Sequence, residues 1–305
     1  MGSSLPSVLV VGGGELGSAV AHRLHQSGMM VAVADLAQPR CIRTAVCFAT
    51  ALRLGTVTVE GVTGVRASAV ASDPRELAGE GKLPVFAVDG GDLDWRPLAA
   101  SLDVDVVVDA RMLKRSHGSL RGLAKLTIGL GPGFSAGDDV DAVIETNRGP
   151  DLGRVIYEGS AEADTGVPAA VGGASGDRVI RAPLAGSFAG RARVGDLVEQ
   201  GSVVGTITKV EGDAASGSER REPRASAATQ RAAPGTSGRA DVIAPIGGLL
   251  RGLVMDGTSV KANQKIGDLD PRGRAVDFAK ISDKGRAVAG GVLEAIMHWW
   301  AADHA

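Results

Sequence analysis

The sequence predicts an α/β protein: a Rossmann-like doubly wound domain, then a small β barrel-sandwich domain of the biotinyl or lipoyl kind, then a C-terminal helix. Three observations carry this. Short runs of Val and Ile alternate with helical segments over the first 175 residues. A glycine turn of G-x-G-x-x-G spacing joins the first such run to the first helix. Residues 179–207 then repeat, without a gap, at 241–269. The expected boundaries are 1–175, 176–270 and 271–305.

The front domain reads as strands at Val8–Val11, Met30–Ala34, Thr56–Glu60, Val85–Val88, Val104–Val108, Leu126–Ile128, Ala142–Glu145 and Val155–Glu158. Runs so rich in β-branched residues suit parallel strands buried on both faces. Leu16, Val20 and Leu24 stand four apart and give the first helix one apolar face, with Gly28 placed to end it. Strand, helix, strand in that order is the grammar of a doubly wound sheet.

In the second region Ala182, Pro183, Gly186, Gly190, Gly195, Val198 and Gly205 fall on Ala244, Pro245, Gly248, Gly252, Gly257, Val260 and Gly267. A repeat of one supersecondary unit commonly packs as a pair, so two halves closing one small barrel are expected. A carrier role is disfavoured: Lys209 stands two residues after Ile207, where the swinging-arm pattern wants a lysine about four after, and no M-K-M or D-K-A motif occurs. Between the copies, Glu211–Ala240 has no Val, Ile, Leu, Met or aromatic residue. Such a stretch buries too little surface to offset ordering entropy and reads as a disordered insertion. In the tail, Val292, Leu293, Ile296, Met297 and Trp300 form an apolar helical stripe that reads as core, and Ser282 or Asp283 is placed to cap that helix.

Composition removes several functions. The 305 residues carry a net charge of −2 and 3% aromatics, which argues against a nucleic-acid binder working through bulk charge or base stacking. No run of apolar residues is long enough to span a bilayer. The opening residues lack a leader pattern, and the expected location is cytoplasmic. Cys41 and Cys47 are six apart, not C-x-x-C, so a redox or selenium-handling role for either is disfavoured. His22 and His25 lie on the helix face opposite Leu16, Val20 and Leu24, so no metal site is expected.

What remains is anion chemistry at strand ends. In Gly12-Gly13-Gly14-Glu15-Leu16-Gly17 the first motif glycine (Gly12) makes the turn, the second (Gly14) lets backbone approach a diphosphate, and the third (Gly17) lets helix and strand pack closely. Asp35, 18 residues past Gly17, stands where a carboxylate meets a ribose diol. Asp109, Arg111 and Lys114 follow another strand, the Gly129-Leu130-Gly131-Pro132-Gly133 loop a third, and Glu145 with Arg148 a fourth. Arg111, Lys114 and Arg148 are read as phosphate neutralisers, and the second glycine loop as an anion nest.

Several stretches carry a family resemblance: VVGGGELGSAVAHRLHQSG, LAQPRCIRTAVCF, VTVEGV, VVDARMLKRSHG, the long run from Ile128 to Pro168, LRGLVMDG, KIGDLDPRG and ISDKGRAVAGGVLEAI. Through them the chain resembles the YqeB-type family of accessory proteins of selenium-dependent molybdenum hydroxylases. It departs from that pattern at Pro150, where RGH is expected, and at Asp164, where Asn is expected. The resemblance implies a maturation factor for a molybdenum hydroxylase apo-enzyme, its partner, handling a molybdopterin dinucleotide-like cofactor. The residues alone leave two alternatives open: an NAD(P)- or FAD-dependent oxidoreductase, and a non-catalytic scaffold.

Overall fold

A computed structural model describes residues 5–68, 74–88, 94–163, 176–210 and 238–304. The chain divides into two compact units, Met1–Ala169 with Asp277–Ala305, and Ala170–Val276. The tail from Asp277 is therefore part of the first unit. The candidate insertion 211–240 lies outside the described residues up to 237, and its last two residues, Arg239 and Ala240, begin a strand. Asp164 also lies outside the described residues.

In the first unit the elements are β1 (Ser7–Val11), α1 (Glu15–Gln26), β2 (Met30–Leu36), α2 (Ala51–Leu54), β3 (Thr56–Val59), β4 (Val62–Ala67), α3 (Pro74–Gly79), β5 (Lys82–Val88), α4 (Arg96–Leu102), β6 (Val106–Asp109), β7 (Leu126–Leu130), β8 (Ser135–Ala136), β9 (Ala142–Ile144), β10 (Val155–Ile156), β11 (Gly159–Ser160) and α5 (Asp283–Asp303). One nine-stranded sheet runs β10-β9-β7-β6-β1-β2-β5-β4-β3. Its centre is parallel, as β1 pairs with β2 and β6, β6 with β7, and β7 with β9. Both edges are antiparallel: β10 on β9, and β3 on β4. The sheet is thus mixed, which corrects the expected doubly wound Rossmann-like domain. The sequence reading missed β4. Its hairpin turns on Glu60 and Gly61, both at positive φ, the backbone twist that a two-residue turn demands.

Val8, Val10, Val31, Val33, Val106, Val108, Ile128 and Ile144 cover one sheet face, under α1 and α5. Leu9, Val11, Ala32, Phe86, Val107 and Val143 cover the other, under Trp95, Leu98 and Ala99 beside and within α4. Strands buried on both faces explain why these runs show no alternation. Helix α5 packs along α1, and a side chain at Gly285 would press on Ala19. Ser282 caps α5, its Oγ accepting from the Gly285 amide at 3.1 Å. The buried seam runs Val288, Val292, Ala295 and Ile296, with Trp299 packed against it, so the drift of a 3.6-residue turn brings Trp299 inward where Trp300 was expected. Trp300 instead stacks on His304, ring centroids 4.6 Å apart. Among the described residues no helix is long and apolar enough to cross a membrane.

The second unit holds β12 (Val179–Arg181), β13 (Gly186–Gly190), β14 (Leu197–Val198), β15 (Val203–Thr208), β16 (Arg239–Ile243), β17 (Gly248–Leu253), β18 (Ser259–Val260) and β19 (Lys265–Asp270). They form two four-stranded sheets, β12-β19-β17-β14 and β16-β15-β13-β18. Every pairing is antiparallel. This corrects the second fold expectation: the repeat builds two separate sheets, not one barrel-sandwich domain. Neither copy forms a sheet alone. β12 and β14 of the first copy pair with β19 and β17 of the second, and the other sheet exchanges partners in the same way. Phe188, Val204, Ile207, Val242, Leu250, Ile266 and Leu269 are buried there.

A charged cluster is buried beside them. Asp270 accepts from the Nε of Arg272 at 2.9 Å and from its NH2 at 2.8 Å, with Arg251 3.9 Å away. Asp268 accepts from Arg178 at 2.6 Å and from Lys265 at 3.1 Å. The Asp270-Pro271-Arg272 motif is thus a local ion-pair clasp.

Candidate functional site

The parallel centre of the first unit's sheet decides where the predicted residues stand. Neighbouring parallel strands end on the same edge, so the segments after β2, β1, β6, β7 and β9 follow one another along it. Gly12–Gly17, Asp35, Asp109–Lys114, Gly129–Gly133 and Glu145–Arg148 are all in those segments. β9 lies three strands from β1, a separation of roughly 14 Å at the usual strand spacing.

The first glycine turn is built by backbone approach. Gly12 takes φ +97° and donates its amide to the Ala34 carbonyl at 2.8 Å, which fastens β1 to β2 at the turn. A side chain at Gly17 would strike the Gly12 carbonyl oxygen, so only glycine lets α1 begin this close to β1. At Gly14 the situation reverses. Its φ of −72° and ψ of −168° suit any residue, and a Cβ there would meet no heavy atom within 4 Å. Gly14 is the N-cap of α1, and no side chain caps the helix. The first turn of α1, with the positive end of the helix dipole, therefore begins at a residue whose side-chain direction is open.

Asp35 stands beside this turn and joins it. Its carboxylate accepts the Gly13 amide at 2.7 Å and the Leu36 amide at 2.7 Å. Burial pushes the Asp35 carboxyl up, and the two amides pull it part of the way back. Each carboxylate oxygen has a second lone pair, so the group keeps acceptor capacity for a diol.

The other predicted residues are placed differently. Arg111 folds back on buried Asp109, with NH2 at 2.6 Å from Oδ2 and Nε at 3.0 Å from Oδ1. Arg148 forks onto Asp283 at 2.7 and 2.9 Å, and that carboxylate raises its pKa. Both guanidinium groups hold carboxylates here. Lys114 is exposed on the segment after β6. Glu145 is buried and accepts the amides of Asn147 at 2.6 Å and Glu162 at 2.7 Å, which pins the chain around β10.

The second glycine loop is packed, not open. A side chain at Gly129 would meet the Phe134 ring, and one at Gly133 the Leu113 carbonyl. The Gly131 amide donates to the Ile144 carbonyl at 3.0 Å, and a Cβ at Gly131 would lie 2.8 Å from Thr146 Oγ1. These glycines allow close packing against Phe134, Leu113 and Thr146. Glu145 and Glu162 also border an open pocket of about 370 Å³, together with Asp151, Arg154, Tyr157 and Glu158. Four of its nine lining residues are acidic and one is basic, the wrong balance of charge for a phosphate.

Arg43 is the residue the sequence reading missed. It is 5% exposed, bonds Glu15 at 2.6 Å, and donates to the carbonyls of Phe278 and Lys280 at 3.1 and 2.9 Å. It thereby ties the first residue of α1 to the chain entering α5. Only a distance of 28 residues in one direction and more than 230 in the other separates these partners in sequence, and no local pattern signals the link.

Comparisons with known proteins add the following. No family model matches the chain. The chain is 40% identical over 292 residues, 95% of its length, to "Uncharacterized protein YqeB" of Escherichia coli K12. It spans about half, 47%, of that relative. The likeness is consistent with a YqeB-type family and says nothing of selenium or molybdenum. Among solved structures, an aspartoacylase family protein from Mesorhizobium loti is 13% identical at a TM-score of 0.26, covering 87% of this chain and 85% of that one. A succinylglutamate desuccinylase/aspartoacylase from Rhodobacter sphaeroides is 16% identical at a TM-score of 0.24, covering 88% and 86%. At such scores the likeness goes no further.

Proposed function

We propose that the first unit binds the diphosphate of a dinucleotide-type ligand at the glycine turn between β1 and α1. The observation that carries the reading is the contrast within one motif: Gly17 is closed by the Gly12 carbonyl, while Gly14 opens into free space at an uncapped helix start. In this reading the amides of α1 and the helix dipole supply the positive field. Asp35, already holding Gly13, accepts the ribose hydroxyls. No cation is required, since Arg111 and Arg148 hold carboxylates of their own.

Within this reading the ligand is a molybdopterin dinucleotide-like cofactor, and the process is maturation of a selenium-dependent molybdenum hydroxylase. Support for that finer step is the family resemblance of the sequence; the 40% identical relative supports only the likeness to a YqeB-type protein. When bound, the cofactor would supply the metal and the pterin dithiolene. This chain's residues would bind its diphosphate and nucleotide end.

The test is an anaerobic calorimetric titration of the full chain with pyranopterin dinucleotide, NAD(H), NADP(H) and FAD in parallel. Saturable binding of the pyranopterin dinucleotide in preference to the others supports the reading. Preference for a nicotinamide or flavin moves the assignment to an oxidoreductase. Silence toward all of them overturns dinucleotide binding.

A further inference from the structure

Residues 39–50 leave the end of β2 and turn back onto the glycine turn. The Ala49 amide donates to the Gly13 carbonyl at 3.1 Å, and the Phe48 amide to Ser18 Oγ at 2.7 Å. Ser18 Oγ in turn donates to the same Gly13 carbonyl at 2.9 Å. The segment is thus fastened to the turn, and it carries Arg43 to the start of α1. There Arg43 Nη1 donates to Glu15 Oε1 at 2.6 Å, and Nη2 to the carbonyls of Phe278 and Lys280 at 3.1 and 2.9 Å. The Arg43 side chain is 5% exposed and that of Glu15 33%. Arg43 Nε is buried and finds no hydrogen-bond partner among the described residues. A buried donor left unmade is costly. The orientation that strands Nε is the one that aims Nη1 at Glu15.

Glu15 is the first residue of α1, next to the N-cap Gly14. A carboxylate in a first turn is attracted by the helix dipole. A diphosphate at the Gly14 opening is attracted by the same field, so the two negative groups compete for it. An uncancelled Glu15 would also repel the diphosphate directly. A buried guanidinium answers both, because its field is weakly screened by water and salt. The carbonyls of Phe278 and Lys280 fix that guanidinium, and it fixes the carboxylate.

We propose that Arg43 makes the start of α1 receptive to a diphosphate by cancelling the Glu15 carboxylate and holding it at the rim, a role that rests on the diphosphate reading of the turn. Arg43 does not touch the ligand. It is a positioning residue that acts through Glu15. A purely structural tie between α1 and the chain entering α5 would be indifferent, in its effect on affinity, to the charge at position 15.

The test is anaerobic calorimetric titration of the full chain and its variants with pyranopterin dinucleotide and, in parallel, with NAD(H). Melting curves first establish that each variant is folded at the titration temperature. Glu15→Gln, a change at a partly exposed residue, should bind severalfold more tightly than wild type. Arg43→Met should bind roughly tenfold more weakly at low salt, and the loss should shrink as salt rises. Arg43→Lys, which keeps the charge, should lose much less. Adding Glu15→Gln to Arg43→Met should restore the affinity, the coupling that a double-mutant cycle isolates. An Arg43→Met loss that Glu15→Gln does not repair, or an affinity blind to the charge at position 15, overturns the proposal. Should Arg43→Met not fold, Glu15→Gln alone decides, and no gain in affinity overturns it. A wild type that binds neither dinucleotide overturns the diphosphate reading itself, an outcome distinct from wild-type binding with charge-blind variants.

Discussion

Replacing Gly14 with Asp should abolish ligand binding while leaving the fold untouched. The backbone of Gly14 is extended and a Cβ there meets nothing within 4 Å, so the new side chain strains nothing. Gly14 is also an N-cap with no side-chain hydrogen bond, and Asp at that position should add a few tenths of a kcal/mol, roughly, by capping α1. The change in stability is expected to stay within about 0.5 kcal/mol. For a bound diphosphate the effect is opposite. A carboxylate about 5 Å from a doubly charged group, at an effective dielectric of about 40, is unfavourable by on the order of 3 kcal/mol. That is a loss of roughly two orders of magnitude in affinity. Paired thermal melts and calorimetric titrations of wild type and Gly14→Asp check both halves. A variant that melts like wild type and binds the dinucleotide within about twofold of it would refute the reasoning, because the ligand would then lie elsewhere.

Three further outcomes follow from the packing. Gly17→Ala should destabilise by on the order of 3 kcal/mol, since its Cβ strikes the Gly12 carbonyl. Gly14→Ala should be near neutral, and equal losses in a denaturant titration of the two variants would count against this account of the turn. Ser282→Ala removes the cap of α5 and should cost about 1 kcal/mol; hydrogen exchange in the first turn of α5 should rise with it. Asp270→Asn leaves Arg251 and Arg272 beside a neutral amide and should destabilise by about 3 kcal/mol. Arg272 holds the Asp270 carboxyl below its ordinary value, so its stabilisation is complete above an unfolded pKa of about 4 and fades as pH falls through the lower folded value. Acid unfolding of Asp270→Asn should accordingly be shallower below about pH 4 than that of wild type, and identical slopes would contradict the assignment.

The parts legible in the sequence are those governed by neighbours in the chain. Val8–Val11 and Val106–Val108 reveal buried strands because burial on both faces leaves no polar position to interrupt them. Ser282 reveals a helix start because a cap acts within three residues. The matched glycines of the second region reveal a repeat. Less legible was the β3–β4 hairpin, whose Glu60-Gly61 turn lacks the usual Asn or Asp before glycine. The glycines of 129–133 have the composition of an anion loop, yet Phe134 and Leu113 press on them. Composition cannot distinguish a glycine kept small for a ligand from one kept small for a neighbouring ring.

By itself, then, the sequence determined where chain segments are extended, helical or turning, and that a tight glycine turn begins the first helix, because sterics and burial periodicity act over a few residues. Only the tertiary structure decided which strands pair, that the two repeat copies exchange strands between two sheets, and which charges are already matched. Asp109 holds Arg111, Asp283 holds Arg148, and Glu15 holds Arg43. Hydrogen bonds and ion pairs depend on separations of a few ångströms, and the folded path of the chain sets those separations.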